Sequence, residues 1–311
     1  MNFLKTTCKP GGVYGNQYGV ELELEYDDHP FLGMDYDEEK SVAVGYETVT
    51  AIKDGSLRGG LEWLLPPNTP DKILNTLSLL KDKPEFLYDD VKHSVRTSTH
   101  VHMNCNRLTY ENIYSICFLY MILEPLLYNF LPTKRQNNTF CNSLTDTKYM
   151  LFTLVSLLKQ NSPSNVGEDL KYSSINYLTI LSLGTLEFRI LPSEYCLDND
   201  VMDSFFRFLT FIRGTSKQGI NLFEFVEKLI DNDVKRTLMM FLGRKLYQRF
   251  DVDNLDVRDY KVYLEHFLYP THVFEEAKSD PYINKTKKET QWDAHMEKLL
   301  TEISQHQSNH V

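Results

Sequence analysis

The chain has 311 residues, with 33 basic and 43 acidic side chains, a net charge of −10 and 42% hydrophobic content. That is enough apolar material for a sizeable core, and the acidic balance without a basic stripe argues against a protein that grips nucleic acid through its phosphates. It leaves room for an anionic substrate held through a metal.

Five cysteines, Cys8, Cys105, Cys117, Cys141 and Cys196, stand singly with no C-x-x-C pair. A zinc finger or disulfide framework is not expected, and a reducing cytoplasm fits. The first residues hold no apolar signal-peptide core. Ile113 to Leu131 is apolar enough to resemble a membrane span, but Glu124 and Pro125 sit at its middle. A buried core helix is the better reading, with no membrane role.

Along the chain, Val13 to Tyr26 joins a glycine-rich approach to a first strand. Asp27 to Lys40 reads as an acidic loop or lid. Gly45 to Ile52 alternates as a second strand and runs into a turn on Asp54-Gly55. Leu61 to Pro67 is a third strand, stopped by its prolines. Asp71 to Lys81 carries helical spacing, and Ser98 to Asn104 is the next strand. From Thr109 the character is helical: Thr109 to Leu131, Lys148 to Lys159, Val201 to Arg213 and Leu222 to Arg249, with one embedded strand at Thr185 to Leu191. Beyond Pro270 the chain is charged and polar, with a terminal helix over Trp292 to Ile303 and a frayed end at 304–311. The fold class expected is α+β in a single domain over 1–311. Its motif-bearing part, 12–191, is an antiparallel sheet covered by helices, and 192–303 is mainly helical.

Three distant strands alternate polar and apolar residues: GVELELE (Gly19 to Glu25), STHVHMN (Ser98 to Asn104) and GTLEFRI (Gly184 to Ile190). Residues two apart share a strand face, so Glu21, Glu23 and Glu25 line one face, as do His100, His102 and Asn104, and Glu187 and Arg189. Each set has an ordinary explanation: a wet edge strand, a satisfied histidine pair, an ion pair. Together they describe a carboxylate- and imidazole-rich face suited to hard divalent cations and a phosphate. Carboxylates about 7 Å apart on one strand repel, so a cation between them is stabilising. Glu62 lies in an otherwise apolar strand, where a lone buried carboxylate costs several kcal/mol unless paired or metal-bound. Asp54 and Ser56 are polar groups at a strand end. No phosphate loop, dinucleotide fingerprint or nucleophile elbow is present.

GVELELE, KDGSL, GLEWLLPP, THVHMN and TLEFRILP, in this order, resemble the amidoligases of the carboxylate–amine ligase group, which are similar to glutamine synthetase and glutamate–cysteine ligase in their catalytic sheet. KRQNNTFC (Lys134 to Cys141) and KYSSINY (Lys171 to Tyr177) are similar to two further segments of that family. The resemblance covers about Gly12 to Leu191. It implies a glutamine synthetase-like sheet and an ATP-dependent ligase that forms an amide bond through an acyl phosphate, with Mg²⁺ (or Mn²⁺) neutralising charge. Carried over, Glu21, Glu23, Glu62, His100 and Glu187 are metal ligands. His100, His102, Arg135, Asn138, Lys171, Asn176 and Arg189 hold nucleotide or acyl substrate. Arg189, Asp54 and Ser56 serve catalysis, Arg189 on the transferring phosphoryl group and the other two in placing substrate or amine. Lys171 departs from the arginine common in the family. The substrates would be a small molecule, amino acid, peptide or protein supplying a carboxylate and an amine. A homo-oligomer stays open, since the Leu- and Phe-rich helices after Val201 suit a core or an interface. An N-phosphoryl transferase of similar fold and a non-catalytic binding or assembly protein are the alternatives.

Overall fold

The computed structural model describes residues 17–86, 91–105, 108–131, 138, 141–143 and 172–279. Arg135, Lys171 and the helices expected at 148–159 and 292–303 lie outside these residues, as does the end at 304–311.

Eight strands form one sheet: β1 (Tyr18–Tyr26), β2 (Glu39–Val44), β3 (Glu47–Asp54), β4 (Gly60–Asn68), β5 (Val91–Lys92), β6 (Ser98–Asn104), β7 (Ile175–Asn176) and β8 (Thr185–Pro192). Their order is β2-β3-β4-β1-β6-β8-β7, with β5 pairing to β1 beside the end of β6. All these pairings are antiparallel, in line with an α+β protein. The alternating Glu/Leu strand, β1, occupies a central position between β4 and β6.

Three strand expectations need correction. The segment Gly45 to Ile52 is strand only from Glu47, in β3: Gly45, with a positive φ of 61°, and Tyr46 form the turn from β2. The acidic stretch Asp27 to Lys40 is not all loop, because Pro30–Gly33 forms a 3-10 turn and Glu39 and Lys40 already belong to β2. The prolines do not stop β4. Pairing to β3 ends at Leu64, and the register to β1 shifts between Leu65 and Asn68, so Pro66 and Pro67 sit where no ladder donor is required.

The apolar sheet face carries Tyr18, Val20, Leu22 and Leu24 of β1, Leu61, Trp63 and Leu65 of β4, Val101 and Met103 of β6, and Leu186 and Phe188 of β8, all buried. Helices α1 (Pro70–Leu80), α2 (Tyr110–Phe130) and, after the short α3 (Thr179–Ser182), α4 (Asn199–Lys217) enclose it. The Tyr18 and Thr210 hydroxyls bond at 2.8 Å, and Tyr120 meets Phe188 with ring centroids 5.2 Å apart. Burying each such large apolar side chain stabilises by about 1.5–3 kcal/mol before entropy is charged against it.

α2 begins as its sequence suggests, with a reciprocal capping box between Thr109 and Asn112. It is long and apolar enough to cross a membrane by length and composition, and 78% of that window is buried in the protein. Its Glu124 accepts hydrogen bonds from Ser174 Oγ and, at 2.7 Å, Ser143 Oγ. Pro125 cannot donate to the Met121 carbonyl one turn back. Tyr263 Oη donates to that carbonyl at 2.6 Å, and Tyr260 Oη donates to Ile122 O at 2.8 Å. Both tyrosines come from α7 (Val257–Ser279), a helix without a sequence-based expectation that runs through Pro270.

The expected single helix Leu222 to Arg249 is two: α5 (Leu222–Asp231) and α6 (Val234–Arg249). Asn232 is extended, and the Asp233 carboxylate caps a new helix by accepting from Arg236 N. α6 itself kinks at Gly243, where φ is 73°.

Candidate metal centre on the polar sheet face

The alternation that buries the Leu and Phe side chains below the sheet sets Gly19, Glu21, Glu23 and Glu25 above it. Strand pairing then decides what each meets. Glu21 lies opposite His100, Gly19 opposite His102, Glu23 opposite Glu62, His102 opposite Glu187, and Asn176 opposite Glu187. Residues from five distant stretches thus share one patch, and Glu23, His100, His102, Asn176, Glu187 and Arg189 are all buried there.

A bulge in β8 shapes the centre. Val101 pairs with Phe188 but Thr99 pairs with Leu191, so the Arg189–Ile190 pair opposes His100 alone. Glu187 and Arg189 share the polar face by simple alternation, and the extra residue brings Leu191 rather than Ile190 opposite Thr99. Arg189 Nη1 donates to Glu187 Oε1 and lies 3.4 Å from His100 Nδ1.

Glu21, His102 and Glu187 each direct one ligand atom into a group whose members lie within 4.8 Å of one another. His102 Nε2 is 2.9 Å from Glu21 Oε1, close enough for the two to share one cation. His100, by contrast, sits among carboxylates on both sides. Its Nδ1 is 3.1 Å from Glu187 and 3.4 Å from Glu21, and its Nε2 is 3.3 Å from Glu23. Ser98 donates its one hydroxyl proton to Glu23, so the 2.7 Å contact between Ser98 Oγ and His100 Nε2 requires Nε2–H as donor. Of the two histidines, His102 therefore has the geometry of a ligand, while His100 bridges Glu21, Glu23 and Glu187.

The electrostatics are those of a crowded anionic site. Burial, then the charges of Glu21, Glu23 and Asp54, push the Glu62 carboxyl up to about 9. Burial acts on Glu21 in the same sense, but hydrogen bonds and charge from His100 and His102 win and hold it well below the usual carboxylate range. Burial would lower the His102 pKa; Glu21 and then Glu187 outweigh it and the net direction is up. Four carboxylates, Glu21, Glu23, Glu62 and Glu187, face one guanidinium and two imidazoles. A divalent cation fits this donor set, and carboxylates with a single imidazole favour Mg²⁺ or Mn²⁺ over the thiolate-rich preference of structural zinc.

The remaining expected site residues divide. Glu25 accepts from Arg58 N at 2.8 Å and holds the β3–β4 connection. Asp54 caps that turn, accepting from Ser56 N at 2.7 Å and Ser56 Oγ at 2.8 Å, so both residues sit at the sheet's rim and outside the convergent group. Asn138 Nδ2 donates to Val95 O at 2.8 Å. Asn176 Nδ2 donates to Glu187 Oε2 at 2.7 Å and so orients a ligand. Arg135 and Lys171 lie outside the described residues. Sequence reasoning passed over Ser98 and Thr185, although both fall on the polar positions of alternating strands already singled out. Thr185 Oγ1 lies 3.0 Å from His102 Nδ1.

No family model matches this sequence, and no curated protein matches it at a significant level.

Proposed function

We propose that this chain is an ATP-dependent carboxylate–amine ligase with a glutamine synthetase-like catalytic sheet. The observation that carries the reading is the convergence of Glu21, His102 and Glu187 beside Arg189 on the polar face of an antiparallel sheet. When bound, Mg²⁺ (or Mn²⁺) supplies the charge neutralisation that lets an anionic carboxylate approach an anionic triphosphate.

The chain's own residues do the rest. Glu21, His102 and Glu187 hold the cation, and Glu23 and Glu62 offer further carboxylate oxygens on the same face. Arg189 is kept over that face by Glu187 and turns its forked donors toward the γ-phosphoryl group as it leaves ADP. The substrate carboxylate oxygen bonds to phosphorus as the bond to ADP breaks; the amine nitrogen then attacks the acyl carbon of the acyl phosphate, the carbon–oxygen bond breaks to release inorganic phosphate, and the nitrogen gives up a proton to solvent to leave the amide. His100 spaces Glu21, Glu23 and Glu187, so their oxygens would stay apart and available to a cation. Asp54 and Ser56, at the rim of the same sheet, would help to place the substrate or the amine. The carboxylate donor and the amine are amino acids, peptides or other small molecules in a cytoplasmic setting.

The test begins without knowledge of the substrates, because a ligand that binds only the native state must raise its stability. Mg²⁺ with a non-hydrolysable ATP analogue raises the melting temperature of wild type and not of Glu187→Gln. ADP release is then screened across acid–amine pairs. A well-folded wild type that shows no metal-dependent shift refutes the reading. A phosphorylated amine formed without free phosphate replaces it with N-phosphoryl transfer.

A further inference from the structure

Thr185 opens β8 on the face that carries Glu187, and its Oγ1 lies 3.0 Å from His102 Nδ1. The other ring nitrogen, Nε2, faces Glu21 at 2.9 Å and belongs to the group that converges with Glu187. A neutral imidazole offers a lone pair at only one nitrogen. For Nε2 to bind a cation, the ring proton must reside on Nδ1, where Thr185 Oγ1 is placed to accept it.

Thr185 is itself held. Thr179 Oγ1, in the short helix α3, lies 2.8 Å from the Thr185 carbonyl and 3.0 Å from the Asn176 carbonyl. Asn176 in turn donates to Glu187 Oε2 at 2.7 Å. The connection from Asn176 to Thr185 therefore reaches two of the three convergent residues from behind, one at each of its ends, with Thr179 tying the ends together. Groups that back a metal ligand in this way fix ring orientation and tautomer, and their loss costs 10–100-fold in metal affinity in other proteins.

We propose that Thr185 is a positioning residue for the cation site: it holds His102 with Nδ1 protonated and Nε2 directed at the ion, and Thr179 and Asn176 keep Thr185 and Glu187 in register. The inference rests on the metal reading above.

The experiment is a titration of wild type, Thr185→Val and Thr185→Ser with Mn²⁺ alone, read by electron paramagnetic resonance. Valine keeps the β-branched shape and deletes the hydroxyl; serine keeps the hydroxyl and deletes the methyl. Thr185→Val is expected to bind Mn²⁺ roughly 10–100-fold more weakly, with Thr185→Ser within a few-fold of wild type. Wild-type affinity in Thr185→Val overturns the positioning role while leaving the cation site standing. Equal weakening in both variants also overturns it, because packing would then be the cause. A wild type that binds no Mn²⁺ removes the cation site and this inference with it. Should Thr185→Val not fold, ¹⁵N spectra of Mg²⁺-loaded wild type decide the matter: His102 protonated at Nδ1 supports the proposal, and protonation at Nε2 refutes it.

Discussion

Glu62→Gln is expected to raise the stability of the metal-free protein and to weaken its stabilisation by metal. Glu62 faces Glu21 and Glu23, and its carboxyl is pushed from 4.5 to about 9 by burial and then by those charges. A carboxyl with a folded pKa above its unfolded value keeps its proton longer in the folded state. Its effect on stability is harmless below about pH 4.5 and grows more costly as pH climbs toward about 9. Each unit corresponds to about 1.36 kcal/mol, so at pH 7.5, three units above the unfolded value, the ceiling on the cost is about 4 kcal/mol. Solvent at the partly exposed carboxyl screens a share of this, leaving about 1–3 kcal/mol. Glutamine cannot ionise and keeps a donor for Glu21, so it recovers that amount, a rise of a few degrees in melting temperature. The assay is thermal or urea unfolding of both proteins in EDTA from pH 5 to 8.5, repeated with Mn²⁺. The gap in favour of Glu62→Gln should widen with pH in EDTA and shrink or reverse with Mn²⁺, because the ion relieves the repulsion only where the carboxylates remain. A gap that does not change with pH, or a less stable variant at pH 8, refutes the account of this face as a cluster of carboxylates in need of a cation.

Three further outcomes are expected. Glu187→Gln should keep its fold, since its one amide oxygen can still accept from Arg189 although the bond from Asn176 is lost, yet lose ADP release by at least about 100-fold; Glu187→Ala, which leaves the Arg189 charge buried without this partner, should lose roughly 3 kcal/mol or more in chemical denaturation. Tyr263→Phe should cost about 1 kcal/mol by removing the donor to Met121 O, and little in a Pro125→Ala background, where residue 125 regains its own N–H; a double-mutant cycle with no coupling would discard the idea that α7 compensates the proline. Gly60→Ala should destabilise by about 1–3 kcal/mol, because a Cβ would sit 2.8 Å from the Leu24 carbonyl and collide with Leu57; wild-type urea stability would show that this turn can yield.

Much of this molecule follows from local periodicity. The alternation in β1, β6 and β8 places Glu21, His102 and Glu187 on one side of their strands and Leu22, Val101 and Phe188 on the other, because a pleated strand has a period of two whatever its neighbours are. The α2 start follows from Thr109 and Asn112, whose side chains satisfy the first turn's own backbone donors. These are short-range matters, settled by residues within a turn of one another.

What only the tertiary structure decided is non-local. Pairing register determines that Glu21 meets His100 and that Glu23 meets Glu62, and no spacing within one strand encodes which strand lies alongside. The bulge at Arg189 arises from two strands of unequal count, so it is invisible in either alone. β7, two residues long, is a strand only because β8 lies beside it to receive its hydrogen bonds. α7 passes Pro270 with weak periodicity, and it is anchored by Tyr260 and Tyr263 on α2, far away in the chain. Gly45, read as part of a strand, and Asp233, read as part of a helix, were punctuation: a positive φ in one case and a cap in the other. His100 and His102 look equivalent two residues apart, and one strand's periodicity cannot separate them. Ser98 and Glu23 occupy one ring while Thr185 orients the other toward Glu21 and Glu187, and that difference exists only once the three strands lie side by side.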